Sequence, residues 1–293
     1  MSDYNLKKRI ILKSPINHIG LFPSGRFIIV SKTLRIYDSE YNLLEEILPI
    51  EAKTKEDFHQ VEIIDDNNFI VAFESSIIFY IFKDNKYIYK NSLTPKTNDE
   101  VMKIIYIAER IYICFITGEI NIIEKSNDEY QIKEKIELET TTYSFLLIEN
   151  DNYLLIGGRK GLIFLDINNH YNQINVIKAP CLGRNSLVKL NEEIIITGGD
   201  FNRIIYVVNI KNKQIITRIT NKTSTWGILV YNNYILTGGI DKIIRIFNVY
   251  DWIVKKAIEN CHNSEIKGFI KFKDGKIGSY GIDGYLNIFE NLI

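Results

Sequence analysis

Cysteine is scarce and unpatterned in this chain of 293 residues: Cys114, Cys181 and Cys261 show neither CxxC nor Cys/His spacing. Their odd number and separation argue against a disulfide framework or a zinc site. An excess of one charge is missing too, since Lys plus Arg is 36, Asp plus Glu is 36, and neither end carries an acidic or basic tail. Nucleic acid held by bulk charge is thereby excluded as a partner. No apolar run approaches the roughly 18 to 20 residues of a spanning helix, and the opening Met-Ser-Asp-Tyr-Asn-Leu-Lys-Lys has no signal-peptide core. The expectation is a soluble intracellular protein, cytoplasmic with the nucleus still open, in which the Asn-X-Thr at Asn221 carries no glycan.

What is abundant is strand-forming. Prolines number only five against 18 Tyr and 15 Phe, Ile far outnumbers Ala, and patterns of period 3.6 are hard to find. With 46% hydrophobic and 25% charged residues the chain has an ordinary globular balance. Self-similarity then decides the class. Tyr234-Ile-Leu-Thr-Gly-Gly-Ile-Asp-Lys-Ile-Ile-Arg-Ile-Phe-Asn248 matches Glu193-Ile-Ile-Ile-Thr-Gly-Gly-Asp-Phe-Asn-Arg-Ile-Ile-Tyr-Val-Val-Asn209, with Gly198 and Gly238 placed 40 residues apart. Further copies begin at Tyr153, Ile113 and Lys276, and weaker ones at Phe27 and Phe69, making seven.

Each unit shows a strand, a polar hairpin such as Asp65-Asp-Asn-Asn68 or Tyr231-Asn-Asn233, a second strand, a glycine-rich turn, a third strand and a fourth such as Gln214-Ile-Ile-Thr-Arg218. Four short strands at a forty-residue period predict a propeller blade. One blade cannot bury both faces by itself, so blades must stack around an axis. The predicted fold is all-β, a single seven-bladed β-propeller of four-stranded antiparallel blades spanning 1–293. The approximate blades are 14–50, 57–97, 98–140, 141–180, 181–220, 221–260, and 261–293 joined by 3–13. The last copy leaves no room for a fourth strand, and the lone strand near residues 4–12 is expected to complete it, removing an exposed edge.

At this point the sequence resembles the WD-repeat β-propeller family. His262-Asn-Ser-Glu-Ile266, Lys273-Asp-Gly-Lys276, Ser279-Tyr-Gly-Ile-Asp283 and Phe289-Glu290 follow the family's order of His, hairpin DG, strand Ser, turn Asp and terminal Trp-Asp. The resemblance implies a structural relay in which Asp283 engages His262, His262 meets Ser279, and Ser279 contacts the Trp position. That position is Phe289 here, so the last link is expected to be missing. Blade six keeps Thr237, Asp241 and Phe247-Asn248 but has no preceding His, and blade five offers Asn202 and Val208-Asn209. The resemblance also implies a rigid platform for other proteins, and a fold alone does not dictate an activity.

The candidate catalytic and ligand motifs each have a plainer structural reading. There is no GxSxG elbow, and His262 with Asp283 suits the blade relay better than a base with its orienter. Gly157-Gly-Arg-Lys-Gly161 could cradle an anion, but it joins two strands, so a tight blade turn is favoured over a phosphate loop. Asp166-Ile-Asn-Asn-His-Tyr-Asn172 lacks the glycine and glutamate of a calcium loop and suits a polar hairpin. Cys181 and Cys261, two repeats apart, are expected to be free thiols and Cys114 a core residue. No cofactor or metal is indicated, and no inward carboxylate or His cluster is identifiable.

The ring of loops joining strands and blades should display Tyr143, Arg159, Lys160, Arg184, Phe201, Arg203, Trp226 and Lys242, concentrated in blades four to six. Trp and Arg are enriched in binding hot spots, which favours a noncatalytic scaffold or adaptor that binds a protein or peptide there within a larger complex. Trp226 fits either an anchor or an interblade packing residue. A phosphoinositide-binding propeller is the alternative, motivated by Arg159 and Lys160 but without that family's paired arginines or membrane-inserting loop. A channel-centred enzyme ranks last.

Overall fold

The computed structural model describes residues 5–49, 57–73, 75–95, 99–127, 129–148, 152–199 and 203–292. Runs of Ile, Val, Leu and aromatic residues between polar turns form short strands because branched side chains pack well on a pleated surface. A leading strand, β1 (Asn5–Ile11), precedes blade one, which holds β2 (His18–Leu21), β3 (Phe27–Val30), β4 (Leu34–Tyr37) and β5 (Leu43–Ile47). Blade two holds β6 (Phe58–Ile63), β7 (Asn68–Phe73), β8 (Ser76–Lys83) and β9 (Lys86–Leu93), and blade three β10 (Val101–Ile107), β11 (Arg110–Phe115), β12 (Glu119–Ser126) and β13 (Glu129–Glu137). Blade four holds β14 (Thr142–Ile148), β15 (Tyr153–Gly158), β16 (Gly161–Asp166) and β17 (Asn172–Ile177). In blade five these are β18 (Leu187–Lys189), β19 (Ile194–Thr197), β20 (Ile204–Asn209) and β21 (Gln214–Thr220). In blade six they are β22 (Thr225–Tyr231), β23 (Tyr234–Gly239), β24 (Ile244–Asn248) and β25 (Val254–Ile258). The last blade combines β26 (Ile266–Lys271), β27 (Ile277–Gly281) and β28 (Tyr285–Glu290) with β1.

All seven sheets are four-stranded and antiparallel, and the first six blades follow chain order. Blade seven runs β1-β28-β27-β26, with Asn5 opposite Glu290 and Ile11 opposite Tyr285. The expected closure by the N-terminal strand is thus present, and it ties the two ends of the chain into one sheet.

Burial follows radial position. Second and third strands such as β7 and β12 are buried on both faces, whereas the outermost β13 alternates exposed and half-buried residues. Seven apolar clusters fill the seven interblade gaps; Phe69, Val71 and Tyr80 of blade two, for example, pack with Ile28, Val30 and Ile36 of blade one. At ~1.5–3 kcal/mol for each buried large aliphatic or aromatic side chain, these gaps hold the ring together without any help from Trp-Asp motifs. Among the described residues no helix is long and apolar enough to cross a membrane.

The glycine turn of blade four is a strand-to-strand turn. Gly161 has φ +130, and a Cβ there would lie 2.0 Å from the Ile177 carbonyl oxygen. Asp166 caps a short 3₁₀ turn over Ile167–Asn169 by accepting from Asn168 N–H. All three cysteines are buried free thiols; burial pushes Cys114 up to about 12 and Cys261 up to about 11, away from thiolate chemistry.

Candidate functional site

The innermost strand of five blades carries the same irregularity. Its pairing register skips one residue between Phe58 and Gln60, Val101 and Lys103, Thr142 and Ser144, Thr225 and Gly227, and Ile266 and Gly268. A β-bulge leaves one residue unpaired and re-aims its side chain. The skipped residues are His59, Met102, Tyr143, Trp226 and Lys267, and all five line one cavity of about 410 Å³ at a mouth of the central channel. Arg184 of blade five and Asn17 of blade one occupy the corresponding places in its wall. The seven positions, 17, 59, 102, 143, 184, 226 and 267, recur every 41 to 43 residues. Each blade therefore contributes one side chain from the same point of the repeat.

Polar contacts stitch this ring together. Lys267 Nζ donates to Asn17 Oδ1 at 2.6 Å, and Asn17 Nδ2 donates to the Phe58 carbonyl at 2.7 Å, linking blades seven, one and two. Asn185 Nδ2 donates to the Lys267 carbonyl and the Tyr280 hydroxyl, both at 3.2 Å. Arg184 reaches from blade five to the Glu100 carboxylate of blade three, across the mouth. His59 Nδ1 lies 3.9 Å from the same Glu100 oxygen. Burial, aided by Arg184, holds the His59 ring below its ordinary pKa against the opposing Glu100 and Asp57. Asp57 also lines the cavity, and its buried Oδ1 has no hydrogen-bond partner among the described residues.

Beneath the mouth lies a second polar layer. Lys103 Nζ donates to Ser144 Oγ at 3.3 Å, and Ser144 Oγ donates to the Arg184 carbonyl at 2.9 Å. His18 has Gln60 Nε2 at 3.0 Å from one ring nitrogen and Val61 N at 3.5 Å from the other, so an imidazolium finds no acceptor. Burial first, then Lys103 and Arg184, bring His18 down to about 3. Glu62 accepts from Tyr106 N–H at 3.0 Å, yet burial lifts it to about 7. The sequence offered no identifiable inward carboxylate or histidine cluster; in the structure Asp57, His59 and Glu100 line the mouth, with His18 and Glu62 buried on the innermost strands nearby. They were missed because a titratable residue inside a strand faces the channel only through its register, which sequence spacing leaves open.

The depressed His18 pKa makes stability depend on pH. The unfolded chain takes up this proton below about 6.5 and the folded protein only near 3, so stability is complete above pH 6.5 and is lost as pH falls toward 3. Glu62 works oppositely, its contribution fading as pH rises from 4.5 to about 7. His18→Gln is expected to remove about 2 kcal/mol of the acid-dependent loss, a figure discounted from the full shift because the residue is half-buried rather than fully enclosed. Chemical unfolding at pH 7 and pH 4 checks this; equal acid sensitivity in variant and parent would assign the loss elsewhere.

Of the rim residues expected from sequence, Tyr143, Arg184 and Trp226 are brought together in the cavity. Half-buried Trp226 faces the cavity. Arg159, Lys160, Arg203 and Lys242 stand on exposed turns outside this mouth. Lys160 instead borders a groove between blades three and four with Glu137 and Tyr171. Phe201 and Asn202 lie outside the described residues. All seven blades contribute to this cavity, which adds Asn17, His59, Met102 and Lys267 to the residues expected in blades four to six. The repeat period itself was the signal that would have found them.

The relay residues form a buried network in blade seven. His262 Nδ1 donates to Asp283, with both oxygens at 3.0–3.1 Å, while Nε2 accepts from Ser279 Oγ at 2.7 Å and Asn287 Nδ2 at 3.1 Å. Burial opposes ionisation of Asp283, but hydrogen bonds from His262, Tyr285 N–H and Asn263 N–H outweigh it and hold the carboxyl below its usual range. The missing last link is supplied by Asn287, directly opposite Ser279 in the sheet. Asn287 in turn accepts from Arg9 Nε at 2.5 Å and donates to the Cys261 carbonyl at 2.7 Å, which fastens β1 to the network. Phe289 is an apolar core residue between blades six and seven. In blade six the equivalent Thr237 hydroxyl has no hydrogen-bond partner among the described residues, and Asp241 pairs with Arg245 at 2.6 Å. Arg245 sits opposite Thr237 as Asn287 sits opposite Ser279.

No family model and no curated protein matches the sequence. Among solved structures the chain is similar to the WD40 beta propeller domain of Doa1, with 11% identity, a TM-score of 0.78, and 99% of this chain and 98% of that one covered. It is also similar to Saccharomyces cerevisiae Sqt1, with 12% identity, a TM-score of 0.74 and 99% coverage of both chains. Blade number, strand order, ring closure and this likeness over nearly the full length agree that the chain has the fold of a WD40-type seven-bladed β-propeller.

Proposed function

We propose that this protein is a noncatalytic interaction scaffold that takes a segment of a partner protein into the channel mouth, as a subunit of a larger assembly. Propellers of this type generally mediate protein–protein interactions. One observation carries the reading: seven repeat-equivalent side chains converge on one concave cavity, with Trp226 and Tyr143 beside Arg184 and Lys267. Aromatic and arginine side chains around a concavity are the residue types that dominate interface energetics. A cytoplasmic location belongs to the same proposal, since buried free thiols suit a reducing compartment.

Gentle affinity capture of the tagged chain from its native cells tests the reading. Trp226→Ala with Arg184→Ala is expected to lose the co-eluting partner by tenfold or more, consistent with hot-spot losses of ~2 kcal/mol or more. The melting temperature should stay within about 3 °C, as expected for changes at partly exposed side chains. Arg159→Glu, on an exposed turn outside the mouth, should leave capture unchanged. A partner retained by the mouth variant and lost by Arg159→Glu would move the site to the blade-four turn.

A further inference from the structure

The mouth sets Asp57 and Glu100 against Arg184 and Lys267, yet Lys267 and, below it, Lys103 make no ion pair with these carboxylates. Lys267 Nζ makes one hydrogen bond, to the neutral Asn17 amide, and Lys103 Nζ makes one, to the neutral Ser144 hydroxyl. Neither ammonium has a carboxylate within 4 Å among the described residues, although both side chains face inward and are half-buried. An enclosed charge without a counter-ion is costly, so such groups are normally paired. Each ammonium also has two further donors to offer. Burial holds both lysines below the usual lysine range, a shift that an arriving anion would reverse.

The remaining cation shows which anion fits. Arg184 is engaged by Glu100 from a blade that is not its neighbour, and the Glu100 side chain remains 43% exposed. A carboxylate approaching from the solvent side can therefore exchange with it. Glu100 acts as a latch over the mouth, occupying Arg184 with the chemistry of a carboxylate ligand. Trp226 and Tyr143 supply walls for residues flanking that carboxylate, which a free inorganic ion would leave unused.

We propose that the channel mouth receives an Asp or Glu side chain of an acidic partner segment, which displaces Glu100 from Arg184 and gains Lys267 at the rim and Lys103 below it. This rests on the peptide-binding reading above and adds the chemical class of the ligand.

The test is panning of a random octapeptide display library on the full-length protein, followed by titration of the selected peptides in synthetic form with blocked ends. Clones that depend on the mouth, defined by loss of binding to Trp226→Ala, are expected to share an Asp or Glu. Changing that residue to Asn or Gln should weaken binding at least tenfold on the parent protein. The penalty should shrink to under threefold on Lys103→Met with Lys267→Met, or on Lys103→Gln with Lys267→Gln should the apolar pair fail to fold. Glu100→Gln should strengthen acidic peptides about three- to tenfold. Mouth-dependent clones without an acidic residue, or an acidic penalty unaltered by the lysine changes, would overturn the carboxylate proposal and leave the peptide-binding reading standing. Competition by millimolar inorganic phosphate as strong as that by the acidic peptide would replace it with a free-anion site. Selection that yields only clones indifferent to Trp226→Ala would overturn both.

Discussion

His262→Ala is expected to destabilise the protein by about 3 to 4 kcal/mol, because removing one partner of a buried polar network strands all the others. Asp283 would lose the imidazole N–H, and Ser279 and Asn287 would lose their shared acceptor. The effect is not confined to the loop. Asn287 also receives Arg9 of β1, so the same network bonds the first strand to the last blade. For a chain of this size the loss corresponds to a melting temperature lower by about 5 to 7 °C. Ser279→Ala, which deletes one hydroxyl and leaves the imidazole–carboxylate pair intact, should cost only about 1 kcal/mol. Urea unfolding gives the magnitudes, and amide exchange should show the loosening in β1, β27 and β28 first. A His262→Ala cost below about 1 kcal/mol would mean that apolar packing alone closes the ring.

Gly227→Ala should be at least as damaging, at about 3 kcal/mol or more, for a reason that lies in the backbone. A Cβ at Gly227 would stand 2.6 Å from the Gly268 Cα, 3.1 Å from the Gly268 N and 3.1 Å from the Lys267 carbonyl oxygen. None of these atoms belongs to a flexible side chain, so blades six and seven must separate to admit one methyl group. Gly275 is the control. Its φ is +83 and nothing lies within 4 Å of its Cβ position, so Gly275→Ala carries only conformational strain, about 1 kcal/mol. Equal unfolding midpoints for the two variants would show that the blades can slide apart freely. Gly227 also follows Trp226, so the damaged variant should lose mouth-dependent peptides together with its stability.

The fold was legible because a blade is a local object repeated in series. Alternating apolar runs, polar hairpins and glycine turns at a forty-residue period admit few other solutions, and the lone leading strand has an evident place in the last blade. Blade seven's relay was likewise visible, since His262, Ser279 and Asp283 fall within one unit. Its last member was not: Asn287 became a partner because strand register sets it across from Ser279, whereas the motif pointed to Phe289.

The mouth shows the same division. Sequence alone determined that seven equivalent positions exist, 41 to 43 residues apart, and singled out Tyr143, Arg184 and Trp226 by residue type. Asn17, His59, Met102 and Lys267 look unremarkable in the chain, each sitting at the edge of an apolar strand. Tertiary structure decided their role twice over, through bulges that turn one residue per strand toward the axis and through ring closure that brings blade seven beside blade one. The physical reason is that burial pattern and turn chemistry are encoded over a few residues. The charge balance of a shared cavity is a sum over seven blades, and it exists only once the ring has closed.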